Sequence, residues 1–322
     1  MFSTGMHARR VCDHRRDSLL QPMGGNKPEA LTMLHMARRY LLLFALLVAL
    51  PVCGDAPFSK GLLFRVQFDN ETPSYLFGTM HSDHPDVVRI PAVVKQAFDD
   101  SRVLVLETSL DPENLVVAMA LMVSEEQQDL QSLLGESVYR RCLAAAEDAG
   151  IAEPALPYFR PWALAMLFSV PSFENGRFLD WVLYQAAQER GKQVQTLESA
   201  QEQLAGLSDL SLEDQLALLE DALNNRPELP MFFRKLKAAY LERDLGALVS
   251  LSREGYQQQD AGRIARLEEA LIYARNRRMS DRLDDLLSGG GRFVAVGALH
   301  LPGNQGLLAL LQSKGFRVDR VY

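Results

Sequence analysis

The chain has 322 residues, 48% of them apolar, and a formal net charge of −7; this is enough for a sizeable core in one or two domains and excludes a disordered, collagen-like or multi-span membrane chain. The charge is uneven: residues 1–54 hold seven basic and three acidic side chains, whereas the remaining 268 hold 27 basic and 38 acidic ones, a net of −11. A body so acidic, with no basic stripe, repels phosphate backbones and excludes nucleic acid as a partner.

Residues 1–32 read as a basic, poorly structured pre-leader or as the product of a misassigned start, with Met33 and Met36 as alternative starts. Residues 33–54 read as a signal peptide. Arg38-Arg39 precede an apolar run, Tyr40 to Leu50, that is too short to span a bilayer comfortably, and Val52 and Gly54 suit the small positions before a cut. The expectation is an exported periplasmic or envelope protein. Cys53 offers a competing reading as a lipidated first residue, so membrane contact is expected only through the leader or through that lipid. Of the three cysteines only Cys142 lies in the body, which leaves no intramolecular disulfide and makes it a core residue.

Residues 55–322 are expected to form a single domain. Leu62–Phe68 and Tyr75–Thr79 predict a hairpin around the turn cluster 69–74. A loop with His81, Asp83 and His84 follows, and Pro91 opens a helix that ends near Asp100. Val103–Leu106 is a short unbroken apolar run, the pattern of a strand buried on both faces. Residues 112–190 read as mainly helical, Gln193–Leu197 as a short strand, and 201–288 as helical again, with a helix start at Ser211 and Asp214. Arg292–Gly297 is a strand after three glycines, Asn304–Ser313 a helix, and Phe316–Tyr322 the final strand. The fold class expected is α/β: a mixed central sheet drawn from both ends of the mature chain, with a large helical insertion over about 112–288.

Four strands end in a polar residue. Gly78-Thr79-Met80-His81 and Gly297-Ala298-Leu299-His300 are each a Gly-x-x-His turn, and Glu107 and Glu198 end the other two. If these strands are parallel neighbours, two imidazoles and two carboxylates converge on one crevice, since ligands of open α/β sheets sit at the carboxyl ends of strands. Imidazole and carboxylate are ligands for Zn, Mn or Co, and a bound metal with an open position activates water. Without a metal, a His–Glu pair serves as general acid and base. The glycines are expected to allow a sharp turn at each strand end. The plain alternatives are solvated strand ends for Glu107 and Glu198, a surface loop for His84, and a solvated charged helix face for Arg275 and Asn276; a carboxylate-pairing or anion-binding role is the other reading of Arg275.

The phrases Tyr75–His81 and Val103–Glu107, Thr196-Leu197-Glu198-Ser199 with Gln203, Arg275-Asn276 with Met279, and Phe293–Gly303 together resemble the TraB/GumN family, over about Leu62 to Tyr322. That family includes the Tiki metal-dependent proteases that act on Wnt and is related to erythromycin-esterase-like and haem-binding ChaN-like folds. The resemblance implies a site built from His81, Glu107, Glu198, Arg275 and His300. It favours Mn or Co, with Zn as the alternative. Ser199 stands where the family commonly has Thr, a change expected to leave the site undisturbed. The function expected is a metal-dependent, peptidase-like hydrolase: His81, His300 and one or both glutamates hold the metal, a remaining glutamate acts as base, and Arg275 orients a carboxylate or an oxyanion of a peptide or small-molecule substrate. The alternative is a non-catalytic envelope protein that binds a peptide or a haem-like ligand in the same crevice.

Overall fold

The computed structural model describes residues 57–171, 176–254 and 261–322. The residues expected to form a pre-leader and a signal peptide, Cys53 among them, lie outside the described residues. Six strands form one sheet: β1 (Leu63–Gln67), β2 (Ser74–Thr79), β3 (Val103–Leu106), β4 (Gln193–Thr196), β5 (Arg292–Gly297) and β6 (Arg317–Arg320), in the order β4-β3-β5-β2-β1-β6. β4, β3, β5 and β2 are successive parallel neighbours, and β1 runs antiparallel to both β2 and β6. The architecture is a mixed α/β sheet into which both ends of the body contribute strands.

Position in the sheet follows from side-chain pattern. Leu104, Val105 and Leu106 of β3 and Phe293 to Val296 of β5 are almost wholly buried, as strands covered on both faces must be. β4 (QVQT) and β6 (RVDR) expose their first and last residues and form the two edges, where polar side chains can reach water. Phe293 stacks against Phe77 of β2 and against Phe98 of the helix Ala92–Asp100, which ties the sheet centre to its cover.

Helices fill the remainder. α1 (Pro85–Val88), α2 (Ala92–Asp100), α3 (Pro112–Met122), α4 (Leu130–Leu134), α5 (Glu136–Asp148), α6 (Pro161–Phe168) and α7 (Leu179–Glu189) precede β4. α8 (Ala200–Ser208), α9 (Leu212–Asn225), α10 (Leu229–Leu241), α11 (Leu245–Glu254), α12 (Ala261–Glu268) and α13 (Ala274–Leu287) separate β4 from β5. β4 therefore divides the expected helical insertion into two stretches. The continuous apolar run of α6 is accounted for by complete burial against its neighbours, chiefly α9. Among the described residues, no helix is long and apolar enough to cross a membrane.

Local signals set several boundaries. Asp111 and Ser211 accept from the backbone N–H three residues on and so cap α3 and α9. The last helix, α14 (Leu307–Ser313), starts three residues later than Asn304, because Gly303 takes a left-handed φ of 86° and Gly306 is the residue before the first helical turn. Cys142 is a free, fully buried core residue whose thiol burial pushes up to about 12, far from a nucleophile's range.

Candidate functional site

The parallel order β4-β3-β5-β2 lays four chain segments side by side at one edge of the sheet: Glu198 after β4, Glu107 after β3, the turn Ala298–His300 after β5, and Met80-His81 after β2. β5 inserts between β2 and β3, so the crevice opens where the strand order is crossed. This is the adjacency that the sequence motifs required.

The two Gly-x-x-His segments are packed on each other. Neither Gly78 nor Gly297 has a positive φ, so the expected sharp-turn role of these glycines is not what holds them. Gly78 lies within β2, and a Cβ there would come within 2.9 Å of Leu301 and 3.1 Å of the Ala298 backbone. Its bareness lets the second motif close down over the first. Tyr240 of α10 donates to the Gly78 carbonyl at 2.9 Å and fixes that contact from above. Gly297 gives its backbone N–H to Glu107 Oε1 at 2.6 Å.

Arg275 organises the acidic half. Its side chain is fully buried, donating from Nη2 to Glu107 Oε2 at 2.6 Å and from Nε and Nη2 to Glu198 Oε2 at 2.8 and 2.6 Å. A turn of π-helix, Glu269–Tyr273, immediately precedes α13 and aims the residue, whose Nη1 also donates to the Leu271 carbonyl. Arg278 holds the other oxygen of Glu198 at 3.0 Å. Both Glu198 oxygens accept from guanidiniums, Oε2 from Arg275 and Oε1 from Arg278. Arg275, equally, is enclosed by the two carboxylates and has no face toward a substrate carboxylate or oxyanion; its carboxylate-pairing reading is the one that fits.

Glu107 also accepts from Gln203 Nε2 at 3.3 Å. Burial pushes its carboxyl up, but Arg275, His300 and the Gly297 N–H outweigh that and bring it down to about 2, so it is an anion. His300 is fully buried. Asn276 gives its amide N–H to the Gln305 carbonyl at 2.8 Å, which turns Asn276 Oδ1 toward His300 Nδ1 at 2.6 Å. That network assigns the proton to Nδ1 and leaves Nε2 as a lone pair. Nε2 has no hydrogen-bond partner among the described residues and stands 3.8 Å from Glu107 Oε1. Burial pushes His300 down to about 4 despite the Glu107 carboxylate, with Arg275 and His81 adding to the fall, so the ring is neutral.

His81, largely buried, packs edge-on against Phe178 and faces Asp180, with Nε2 3.4 Å from Oδ2. His84 is not part of this group: it caps α1, accepting from the Asp86 N–H, and its side chain is 42% exposed. A small cavity is lined by His81, Glu107, Thr108, Asp180 and Gln203, and a more apolar one is lined by His81 with Met80, Leu236 and Leu248.

The expected residues thus fall into two groups. His81 stands with Asp180; His300, Glu107, Glu198 and Arg275 form the second, stapled by Asn276 and Gln203. Asp180 was not expected from the sequence. The available signal was a single acid within the apolar run Phe178-Leu179-Asp180-Trp181-Val182-Leu183.

The profile of the TraB/PrgY/gumN family matches residues 62–320, the span of the sheet and of every residue named above. The chain belongs to the TraB/PrgY/gumN family. Its relatives include the metalloprotease TIKI2 of Danio rerio, 27% identical over 300 residues that cover 77% of this chain and 58% of that protein. The metalloprotease TIKI1 of Homo sapiens is 26% identical, covering 77% of this chain and 60% of its own length. The uncharacterised protein YbaP of Escherichia coli K12 is 28% identical over 74% of this chain and 87% of its own length. The chain thus spans about three-fifths of the metalloproteases it is similar to. No solved structure matches it significantly.

A divalent metal is the cofactor this family resemblance implies, and two of the side chains present have the chemistry of its ligands. His300 offers a neutral, unpartnered Nε2 whose tautomer is fixed from behind, the arrangement that metal-ligating imidazoles require. Asp180 Oδ2 is a second buried oxygen without a hydrogen-bond partner. The donors stand as two pairs: among the described residues, no three His, Cys, Asp or Glu side chains gather about one cation position.

Proposed function

We propose that this protein is an exported, metal-dependent hydrolase of peptidase type, in which His81, His300 and Glu107 hold the metal. The observation that carries the reading is the His300 imidazole, buried, neutral and aligned by Asn276, with nothing on its Nε2. When bound, a divalent metal would supply a water activated for attack and polarise the scissile carbonyl.

The chain's own residues supply the frame. Glu107, held anionic near 2, balances a cation better than it could accept a proton at neutral pH. Arg275 positions Glu107 and Glu198 and neutralises part of their charge, so it acts through the carboxylates and not on the substrate. Gln203 and the Gly297 N–H fix the Glu107 carboxylate in one orientation. Mn or Co remains the favoured metal, with Zn as the alternative. The substrate is a peptide, in line with the relatives named as metalloproteases. The Arg-Arg and apolar run of residues 38–50 supports export. A haem-like ligand has less in its favour, since the cavities beside His81 have room for little more than a water or two and not for a macrocycle.

The test is metal analysis of the purified full chain together with hydrolysis of a mixed peptide library, with and without chelator. The expected result is about one Mn or Co per chain, chelator-sensitive cleavage, and loss of both in His300→Ala. Cleavage that survives chelation and His81→Ala would overturn the reading.

A further inference from the structure

Asp180 sits in the first turn of α7, opposite the end of β2, and is 5% exposed. Thr79, the residue after Gly78, donates from Oγ1 to Asp180 Oδ1 at 3.1 Å. That bond pins one carboxylate oxygen to the first Gly-x-x-His segment and turns the other, Oδ2, toward His81. Among the described residues nothing donates a hydrogen bond to Oδ2, although it is buried. A buried carboxylate oxygen left without a donor has lost its hydration with nothing in return, so the group needs a partner.

His81 is not a sufficient one. A charge-assisted N–H···O bond runs at about 2.7–2.9 Å, and the Nε2–Oδ2 separation is 3.4 Å. Two donors bound to one ion at about 2.0–2.2 Å each stand about 3–3.5 Å apart. The observed spacing fits two ligands of a shared cation better than it fits a hydrogen bond between them. Asp180 and His81 also line the same small cavity as Glu107 and Gln203, so an ion held there borders both.

We propose that Asp180 is a metal ligand, its Oδ2 and His81 Nε2 together forming one arm of the cation site, with Thr79 as the positioning residue that aims Oδ2. The inference rests on the metal-dependent reading of the site and adds to it a residue outside the Gly-x-x-His and glutamate motifs. The second letter of the first motif acquires a function too: Thr79 carries a hydroxyl because the carboxylate behind it has to be steered, whereas its counterpart Ala298 has no such group to hold.

The experiment is titration of the full chain with Mn²⁺, followed by electron paramagnetic resonance of the free ion, and with Co²⁺, followed by its visible absorption. The variants are Asp180→Asn, Thr79→Val and His300→Ala, with circular dichroism of each. Asp180→Asn keeps the volume and can still accept from Thr79, and it should weaken Mn²⁺ binding at least about tenfold. Thr79→Val should weaken it by a few-fold, with the same Co²⁺ band shape. In Asp180→Cys a thiolate-to-cobalt charge-transfer band should appear in the near ultraviolet, a signature that only direct ligation produces and that survives partial loss of stability. Wild-type affinity in Asp180→Asn, or no such band in Asp180→Cys while the wild type binds Co²⁺, overturns the assignment of Asp180 and leaves the metal-dependent reading standing if His300→Ala still abolishes binding. Absence of Mn²⁺ and Co²⁺ binding by the wild type overturns both.

Discussion

Arg275 is the residue on which the acidic half of the site turns. Two carboxylates, Glu107 and Glu198, share its guanidinium inside the protein, and Arg278 adds a second cation to Glu198. Breaking a buried ion pair from one side leaves the other charge without compensation, which costs about 3–5 kcal/mol. Arg275→Met, which keeps the aliphatic stem and deletes the charge, should therefore lower the stability measured by urea unfolding by about that amount. It should also weaken Mn²⁺ binding, because Glu107 loses one of the donors that orient it. A stability loss under about 1 kcal/mol would show that the glutamates do not depend on the arginine.

The elements around the site are held by contacts that a composition count cannot register. α8 starts at Ser199 with a reciprocal cap: Ser199 Oγ accepts from the Glu202 N–H and the Glu202 carboxylate accepts from the Ser199 N–H. Thr would cap equally well, which is why serine at this position leaves Glu198 in place. Glu202 is brought down to about 2, first by the Arg282 side chain and then by the Ser199 N–H, against a modest effect of burial. A carboxyl lowered on folding stabilises the protein fully above its unfolded value near 4.5 and ceases to do so as pH falls through about 2. The stability difference between wild type and Glu202→Gln should accordingly be constant from pH 6 to 8, shrink below about 4.5 and vanish near 2, as read by thermal melts across that range. The pair is partly exposed, so the plateau should be small, on the order of 1 kcal/mol. A difference that grows on acidification would contradict the assignment.

The π-helical turn before Arg275 is the second such contact. A Cβ at Gly206 of α8 would lie 2.8 Å from Leu271 and 3.0 Å from the Ala270 carbonyl oxygen, both in that turn. α8 carries Gln203 as well, so the spacing between this helix and the π turn sets how Gln203 and Arg275 meet Glu107. Gly206→Val should cost about 1–3 kcal/mol by overpacking. Mn²⁺ affinity should fall with it, whereas an exposed change on the same helix, Gln201→Ala, should alter neither. Unchanged Mn²⁺ affinity in a destabilised Gly206→Val would separate this packing from the site.

For the whole molecule, the decisive event is the insertion of β5 between β2 and β3. It joins β5 to residues 189 positions away in β3 and 218 away in β2, and places the second Gly-x-x-His segment beside the first and beside Glu107. Phe293, fully buried and in contact with Phe77 and Phe98, secures that insertion. Phe293→Ala should cost about 3–5 kcal/mol. Val318→Ala on the edge strand β6, where the side chain is only partly buried, should cost clearly less. Equal effects in chemical denaturation would argue that β5 is not the strand on which the sheet depends.

Strand positions, the cysteine's place in the core and the residues that meet at the sheet edge were legible in the sequence, because unbroken apolar runs, turn clusters and polar strand ends are local signals with a fixed physical cause. His81, Glu107 and His300 each end such a run. What each group does was not legible. Whether Glu198 faces a cavity or an arginine, whether Gly78 turns the chain or admits a neighbour, and whether an acid inside an apolar helix is aimed at a histidine all depend on what the folded chain brings from elsewhere. Asp180 meets His81, about a hundred residues away, and Arg275 meets Glu107, 168 residues away. The amino-acid order fixes the chemistry that each strand end can offer; only the packed sheet and its helices select, through burial and the nearest charge, which of those groups remain free to act.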